Sequence, residues 1–394
     1  MSSVLPQGWE EKELDNLLKL KYGKDHKKLD DGNIPVYGSG GIMRYANEYL
    51  YDKESILIPR KGTLSNMFFV NEPFWTVDTI FWSIINDELV DGKFLYYNLK
   101  TIDFANLNVG SAVPSLTTKV LNQVNIKYPS DINEQKRIAD ILSAFDDKIE
   151  LNNQMNQTLE DMATELFKEW FENFNFPNSE GKAYKANGGE MKASELGEIP
   201  IDWEVKKLYD VSENISRRFK LKEYEEVVFV NTGDVLNGDF LHNNYKSTEN
   251  LPGQAKKAIE IGDILYSEIR PKNRRFARVD QAVKNYVVST KFMVIKRNEN
   301  IGYNCLYIFL TLDSTIEEFN TIAESRSGTF PQITFDSISN IKIVLPNDNL
   351  VTDNFENIVE PIFEQIKLNK EQNQILKKQR DTLLPKLMSG EIRV

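Results

Sequence analysis

Apolar residues along this chain follow two different periods, and the switch from one to the other happens twice. ESILIPR (54–60), NMFFV (66–70) and WTVDTIFWSII (75–85) are short runs of β-branched and aromatic residues separated by Gly, Asn and Pro turns, a pattern that predicts strands. EEVVFVNTGDV (225–235), GDILYSEI (262–269) and NYVVSTKFMVIK (285–296) repeat it later. After Pro129 the period lengthens: Ile138, Leu142, Phe145, Ile149, Leu159, Leu166 and Trp170 fall on one seam at steps of three, four or their sums. That spacing predicts a long helix over 134–172. After Pro346 the seam returns as Ile362, Ile366, Leu376, Leu383 and Leu387.

The chain is therefore a duplication. LPQGWEEKEL (5–14) aligns with IPIDWEVKKL (199–208) at an offset of 194, and IELNNQMNQTL (149–159) aligns with IKLNKEQNQIL (366–376) at 217. VNIKYP and IKIVLP, ending at Pro129 and Pro346, and the prolines Pro114 and Pro331 also match at 217. The second copy has thus gained residues between its Trp and its Pro, an insertion expected in surface loops. The class expected is α+β: two mixed α/β domains with strand-rich cores, joined by two long antiparallel coiled-coil helices, in a pseudo-twofold internal repeat. The boundaries expected are globular segments at 1–130 and 199–346, helical regions at 131–175 and 347–394, and a linker at 176–198.

Asparagines interrupt both seams at matching positions, Asn152 and Asn156 in the first and Asn369 and Asn373 in the second. An asparagine in an apolar seam costs stability but fixes register, because its amide is satisfied only opposite a matching polar group. The four are expected to be a pairing code between the helices, with Glu150, Glu160 and Asp161 on one surface and Lys367, Lys377 and Lys378 on the other. A 39-residue helix is about 58 Å long. Two of them paired antiparallel would carry similar heads at opposite ends, an arrangement suited to a DNA target with two spaced halves.

Charge first argues against such a target, because the 394 residues sum to −11. The acidity is local, however: 131–199 holds 7 basic and 15 acidic residues, whereas 200–345 holds 20 of each. A local basic face still binds DNA under an acidic total. The longest apolar stretch contains Asp78 and is too short to span a bilayer, and MSSVLPQGWEEKEL lacks the pattern of a targeting segment. A lone Cys305 permits no internal disulfide, and His26 and His242 are too few for the usual metal sites. The expectation is a cytoplasmic protein without membrane or metal.

No catalytic constellation stands out. GSGG (38–41) reads as a turn between strands rather than a phosphate loop, and no Asn-Pro-Pro-Tyr-like tetrad is present to grip a flipped adenine. Asp263 and Glu268 with Lys272 have poor spacing for a metal-dependent nuclease. What does stand out is SEIRPKNRRFAR (267–278), with Arg270, Lys272, Asn273, Arg274, Arg275 and Arg278 against one acid, Glu268. Arginine's fork matches guanine's major-groove acceptors and phosphate oxygens. The matching IPRKGTLSN (58–66) offers Arg60, Lys61 and Asn66; MRYAN (43–47) offers Arg44 and Tyr45; SRSGTFPQ (325–332) offers Arg326, Ser327, Thr329 and Gln332. These are the candidate DNA-binding residues. A two-headed coiled-coil scaffold that binds no nucleic acid is the alternative, and salt-sensitive DNA binding discriminates between the two.

The chain resembles the specificity (S) subunits of type I restriction-modification systems. LNKEQNQILKKQRDTLLPKLMSGEIRV, at the C-terminus, looks like that family's second conserved helical region, and NEQKRIADILSAFDDKIELNNQMNQTLE (133–160) is similar to its first. The two Trp-containing openings, with SAVPSLT and SGTFPQIT ahead of each helix, resemble the ends of its target-recognition domains. The resemblance implies two such domains, each reading half of a split double-stranded DNA sequence, with the paired helices as a ruler. It implies two modification (methyltransferase) subunits as partners, bringing S-adenosylmethionine for N6-adenine methylation. Restriction/translocase subunits would bring ATP and Mg, and this chain would hold no cofactor and no catalytic residue. One departure concerns the second helix, which has Val351, Thr352 and Asp353 where the first has Glu134, Gln135 and Lys136. With Pro361 in the pattern, it either starts near 360 or is longer and kinked there.

Overall fold

A computed structural model of the chain describes residues 5–108, 114–325 and 331–394. The first repeat contains β1 (Trp9–Glu13), β2 (Leu18–Tyr22), β3 (Ile34–Gly38), β4 (Gly41–Ala46), β5 (Ser55–Pro59), β6 (Phe68–Val70), β7 (Trp75–Thr76), β8 (Ile80–Ile85), α1 (Gly92–Lys100), β9 (Asn125–Pro129) and α2 (Ile132–Phe167). β2, β8, β5 and β6 form an antiparallel sheet in that order, and β4, β3 and β7 form a second in which β3 and β7 run parallel. All five residues of β5 are buried, so it reads as a continuous apolar run rather than an alternation. Its one polar side chain is satisfied inside: Ser55 Oγ donates to the Ser83 carbonyl at 2.8 Å.

The second repeat has the same plan with additions. Its elements are β10 (Trp203–Lys207), β11 (Ser212–Asn214), β12 (Glu226–Val230), β13 (Tyr245–Ser247), β14 (Ala255–Ala258), β15 (Asp263–Ser267), β16 (Phe276–Arg278), β17 (Tyr286–Ser289), β18 (Phe292–Arg297), α3 (Tyr303–Thr311), α4 (Asp313–Ser325), β19 (Lys342–Pro346) and α5 (Leu350–Met388). The sheet β11-β18-β15-β16 reproduces β2-β8-β5-β6, and β13-β12-β17-β14 reproduces β4-β3-β7 with one more strand at the edge. The Trp and Pro that mark each repeat face each other: Trp9 pairs with Pro129 and Trp203 with Pro346 across antiparallel ladders. The residues gained by the second copy are not confined to loops, since they include the strand β14.

Packing divides the chain into two units, residues 1–154 with 369–394, and residues 155–368, so that each long helix contributes to both. In the first unit the start of α2 runs antiparallel to the end of α5. Arg393 reaches Glu134 at 2.8 Å, Arg380 pairs with Asp146, and Asn152 Nδ2 donates to Asn373 Oδ1 at 2.8 Å. Ile138, Leu142, Leu387 and Met388 share a core with Trp9, Tyr97 and Tyr128. In the second unit Phe167, Trp170 and Phe171 close on Phe355, with the Phe171 and Phe355 rings edge-to-face at 5.1 Å.

All four seam asparagines are buried. Asn373 Nδ2 donates onward to Asn153 Oδ1 at 2.9 Å, and Asn152 also donates to Gln372 Oε1. Three of the six charges flanking the seam have partners other than the expected helix-to-helix ones. Glu150 accepts from Gln154 and Asp161 from Gln157, each one turn along its own helix, and Lys367 donates to the Asp280 carbonyl at 2.8 Å. Side chains four apart on a helix are already neighbours, and that proximity wins.

α5 begins at Leu350, ten residues before the later of the two expected starts, and Pro361 lies inside it. Proline has no N–H for the carbonyl of Asn357, and both residues are exposed. The helix starts differ in chemistry. Gln135 is fully buried, accepting from Asp91 N–H and donating to the carbonyls of Leu89 and Pro129; Thr352, its counterpart, stays local, its hydroxyl donating to the Asn349 carbonyl three residues back.

Candidate nucleic-acid interface

In each unit the basic loop is the connection between two adjacent strands of the four-stranded sheet: β5 to β6 in the first, β15 to β16 in the second. Both loops are anchored by the same backbone ladder. Leu116 N–H donates to the Arg60 carbonyl and Gly62 N–H to the Pro114 carbonyl; Ile333 donates to Glu268 and Arg270 to Pro331. Lys61 thus bridges Ser115 as Ile269 bridges Gln332. This register pairs Arg60 and Lys61 with Glu268 and Ile269, and it sets Arg270 where the first repeat has Gly62.

That position requires left-handed backbone, φ 89° at Gly62 and 48° at Arg270. Arg274 is also left-handed, at 51°, so a 3₁₀ turn at Pro271–Asn273 is flanked by two strained arginines. Non-glycine residues in this region cost of order 1–3 kcal/mol and cluster where side-chain placement matters.

The cations of 267–278 have separate fates. Arg270, Lys272 and Asn273 are exposed. Lys272 pairs with Glu317 at 3.3 Å and Arg274 with Asp313, both acids lying on α4. Arg274 and Asp313 also line a groove of about 590 Å³ shared with Glu160 and Lys168. Arg275 donates to the carbonyls of Gly233 and Val235, which holds the loop to its neighbour.

Arg278 is a correction, because its side chain is only 8% exposed. Its guanidinium lies 3.9 Å from the centre of the Phe363 ring, 4.8 Å from Tyr303 and 5.3 Å from Tyr307, and it donates to Asn304 Oδ1. Asn304 donates in turn to Glu356 and Glu360 of α5, so this arginine fastens the sheet to the helix and has no face for a ligand.

In the first unit Asn66 Nδ2 donates to the Ser39 carbonyl at 3.0 Å, joining the β5–β6 loop to the β3–β4 turn. Arg60 donates to the Asp78 carbonyl and lies over the Tyr22 ring, while Lys61 is exposed. Arg44 is drawn back to Asp31 at 2.7 Å and to the Leu29 carbonyl, leaving Tyr45 exposed beside it. Gln332 joins the ladder of the second unit; Arg326, Ser327 and Thr329 lie outside the described residues.

Asp263, Glu268 and Lys272 do not converge. Asp263 is buried against Arg217 at the start of β15, Glu268 lies just past its end, roughly 16 Å away at strand rise, and Lys272 turns to Glu317. Among the described residues no cluster of His, Cys, Asp or Glu is arranged to hold a metal ion, and no helix is long and apolar enough to cross a membrane.

Burial pushes the Glu356 carboxyl above its ordinary value, against the opposing pull of N–H donors from Cys305 and Asn304. A raised carboxyl favours the folded state while it holds its proton, so its contribution is complete below about pH 4.5 and fades as pH rises through the raised value. Urea midpoints from pH 4.5 to 8 are expected to show wild type losing ground to Glu356→Gln as pH rises. A constant difference between the two would refute that assignment.

The family model described as Type I restriction modification DNA specificity domain matches residues 6–161 and again 200–378. The specificity subunit of the HindI type I restriction enzyme of Haemophilus influenzae is 53% identical over 176 residues, 44% of this chain and 38% of that one. The MjaIX specificity subunit of Methanocaldococcus jannaschii is 30% identical over 433 residues, 99% of this chain and 95% of that one. Among solved structures, the S subunit of a type I restriction-modification system from M. genitalium shares the fold, with a TM-score of 0.58 at 19% identity over 96% of both chains.

Proposed function

Because this chain belongs to the type I restriction modification DNA specificity family, we propose that it is the DNA-reading subunit of a type I restriction-modification complex. Each strand-rich lobe reads one half of a split double-stranded target, and the long helices set the gap and dock two modification subunits. Those methyltransferase subunits bring S-adenosylmethionine for N6-adenine methylation, and restriction subunits bring ATP and Mg; this cytoplasmic chain contributes recognition and no catalytic group. The observation that carries the reading is the repeated loop. Two basic loops, in the same connection of two duplicated sheets, are pinned by the same ladder, and Arg270 and Lys61 are exposed on them.

Mapping N6-methyladenine across the genome, with and without this gene, tests it. Loss of one split motif on deletion is the expected result; deletion that leaves an active split motif intact would overturn it.

The α4 acids give a further expectation. Exposed ion pairs are weak, about 0–1 kcal/mol, so Asp313 and Glu317 exchange readily with phosphate for Arg274 and Lys272. Asp313→Asn with Glu317→Gln is expected to tighten binding to random-sequence duplex and to steepen its salt slope by about 1–2, at roughly 0.9 per added phosphate contact. Unchanged binding would show that α4 does not compete.

A further inference from the structure

A second cationic surface in the unit 155–368 lies away from the β15–β16 loop and carries no motif, only charge. RRFKLK (217–222) has four bases and no acid. Its first three residues are extended and pair antiparallel with the outer edge of β14, and Leu221–Glu223 then form a 3₁₀ turn: Phe219 N–H donates to the Lys256 carbonyl at 2.8 Å, Ala258 N–H to the Arg217 carbonyl at 2.9 Å, and Arg218 bridges Lys257. Arg217–Phe219 thus add a short rung to the edge of the sheet β13-β12-β17-β14.

Alternation along it separates two roles. Arg217 turns inward to Asp263, in two hydrogen bonds of 2.5 and 3.1 Å, and Phe219 is buried with Val227, Phe229 and Val287. Arg218, Lys220 and Lys222 are exposed, the last within the 3₁₀ turn, and so is Lys256, opposite Phe219 on β14. The described ion pairs take Arg217 and Lys220 and leave Arg218, Lys222 and Lys256. Placing Arg218 directly opposite Lys257 costs stability, since like charges across a strand pair repel. Lysines on an edge also guard against strand-to-strand aggregation. That role needs cations only on the outermost strand, whereas here the covered strand β14 carries them as well.

The surface connects to the reading loop. Lys257 Nζ donates to the Phe292 carbonyl at 2.6 Å and Thr290 N–H to the Gln254 carbonyl at 2.9 Å, which ties β14 to the β17–β18 turn. The next residue of that turn, Lys291, accepts from Glu268 N–H at 2.9 Å, and Glu268 opens the β15–β16 loop. The first repeat is basic at the same topological point, between the first strand of the four-stranded sheet and the first strand of the mixed one. Lys24 N–H donates to the Thr76 carbonyl on the edge of β7, and Lys24, Lys27 and Lys28 are exposed.

We propose that the Arg217–Lys222 segment, with Lys256, is a surface that contacts the phosphate backbone of duplex DNA, continuous with the β15–β16 loop. The proposal rests on the reading of the chain as a DNA binder. Phosphate contacts position a duplex without reading it, so this surface holds the DNA against the loop that carries Arg270.

The test is a salt titration of the full-length chain with a random-sequence duplex pool, followed by fluorescence anisotropy. Arg218→Ala/Lys222→Ala/Lys256→Ala is expected to lower the slope of log K against log salt by about 2–3, at roughly 0.9 per phosphate contact, with sequence preference kept. Arg218→Lys/Lys222→Arg/Lys256→Arg is expected to keep the wild-type slope, which separates lost charge from lost structure. A triple alanine variant that aggregates but keeps the slope would overturn the proposal in favour of edge protection. If Arg270→Ala lowers the slope and the triple variant does not, this surface alone is wrong. A wild-type slope near zero would overturn the DNA reading itself.

Discussion

Replacing Arg278 by alanine is expected to destabilise the unit 155–368 by about 3–5 kcal/mol, the usual cost of removing one member of a buried charged network. The side chain fills the space between Tyr303, Tyr307 and Phe363, and its loss opens a cavity against three rings. It also leaves Asn304 Oδ1 without its donor and Asp280 without the cation 3.6 Å away. Asn304 is itself the link to Glu356 and Glu360, so the loss spreads into α5. Arg270→Ala, at an exposed position, is expected to change stability by no more than about 0.5 kcal/mol while weakening DNA binding. Urea unfolding of both variants checks this pair of outcomes. An Arg278→Ala protein as stable as wild type would mean that the buried arginine is replaceable by water or by repacking.

The second large effect is expected at the asparagine seam. Asn152→Leu removes the donor to Asn373 Oδ1 and leaves that oxygen buried, at a cost of about 1–3 kcal/mol. Asn152→Leu with Asn373→Leu replaces both partners, and the double variant is expected to recover that loss or exceed wild type. The coupling between the sites should be about 0.5–3 kcal/mol. What the double variant loses is register: leucines pack at neighbouring registers almost equally well, whereas the amide pair fits one. A double-mutant cycle in urea measures the coupling, and the assembly state by light scattering reports the register. Additive losses with an unchanged assembly state would contradict the pairing code.

The duplicated plan was legible because its markers are local. The Pro that closes each ladder keeps its spacing to the seam, the Trp it faces recurs in the same short phrase, and the switch of apolar period announces each long helix. The basic loops were legible as charge, but the fate of each arginine was not. Arg274 and Lys272 pair with acids 39 and 45 residues further on, Asp313 and Glu317, in a helix that the first repeat lacks among its described residues.

Arg278 did leave a trace in the sequence. In FAR (276–278) alternation puts residue 278 on the same side as Phe276, and Phe276 is core. The α5 start was ambiguous because Pro361 argues for a late beginning on propensity. The tertiary packing of Phe355 and Val359 overrides it. RRFKLK offered only composition, and its position along β14 comes from backbone pairing that no local pattern encodes.

The central claim is that this chain reads DNA in two separate pieces, one per lobe. The most direct measurement is selection of bound sequences from a random duplex pool by the full-length chain, followed by sequencing. The account predicts two short conserved blocks separated by an unspecified gap of fixed length, with Arg270→Ala relaxing one block and sparing the other. A single uninterrupted block, or no enrichment over the input pool, would contradict it.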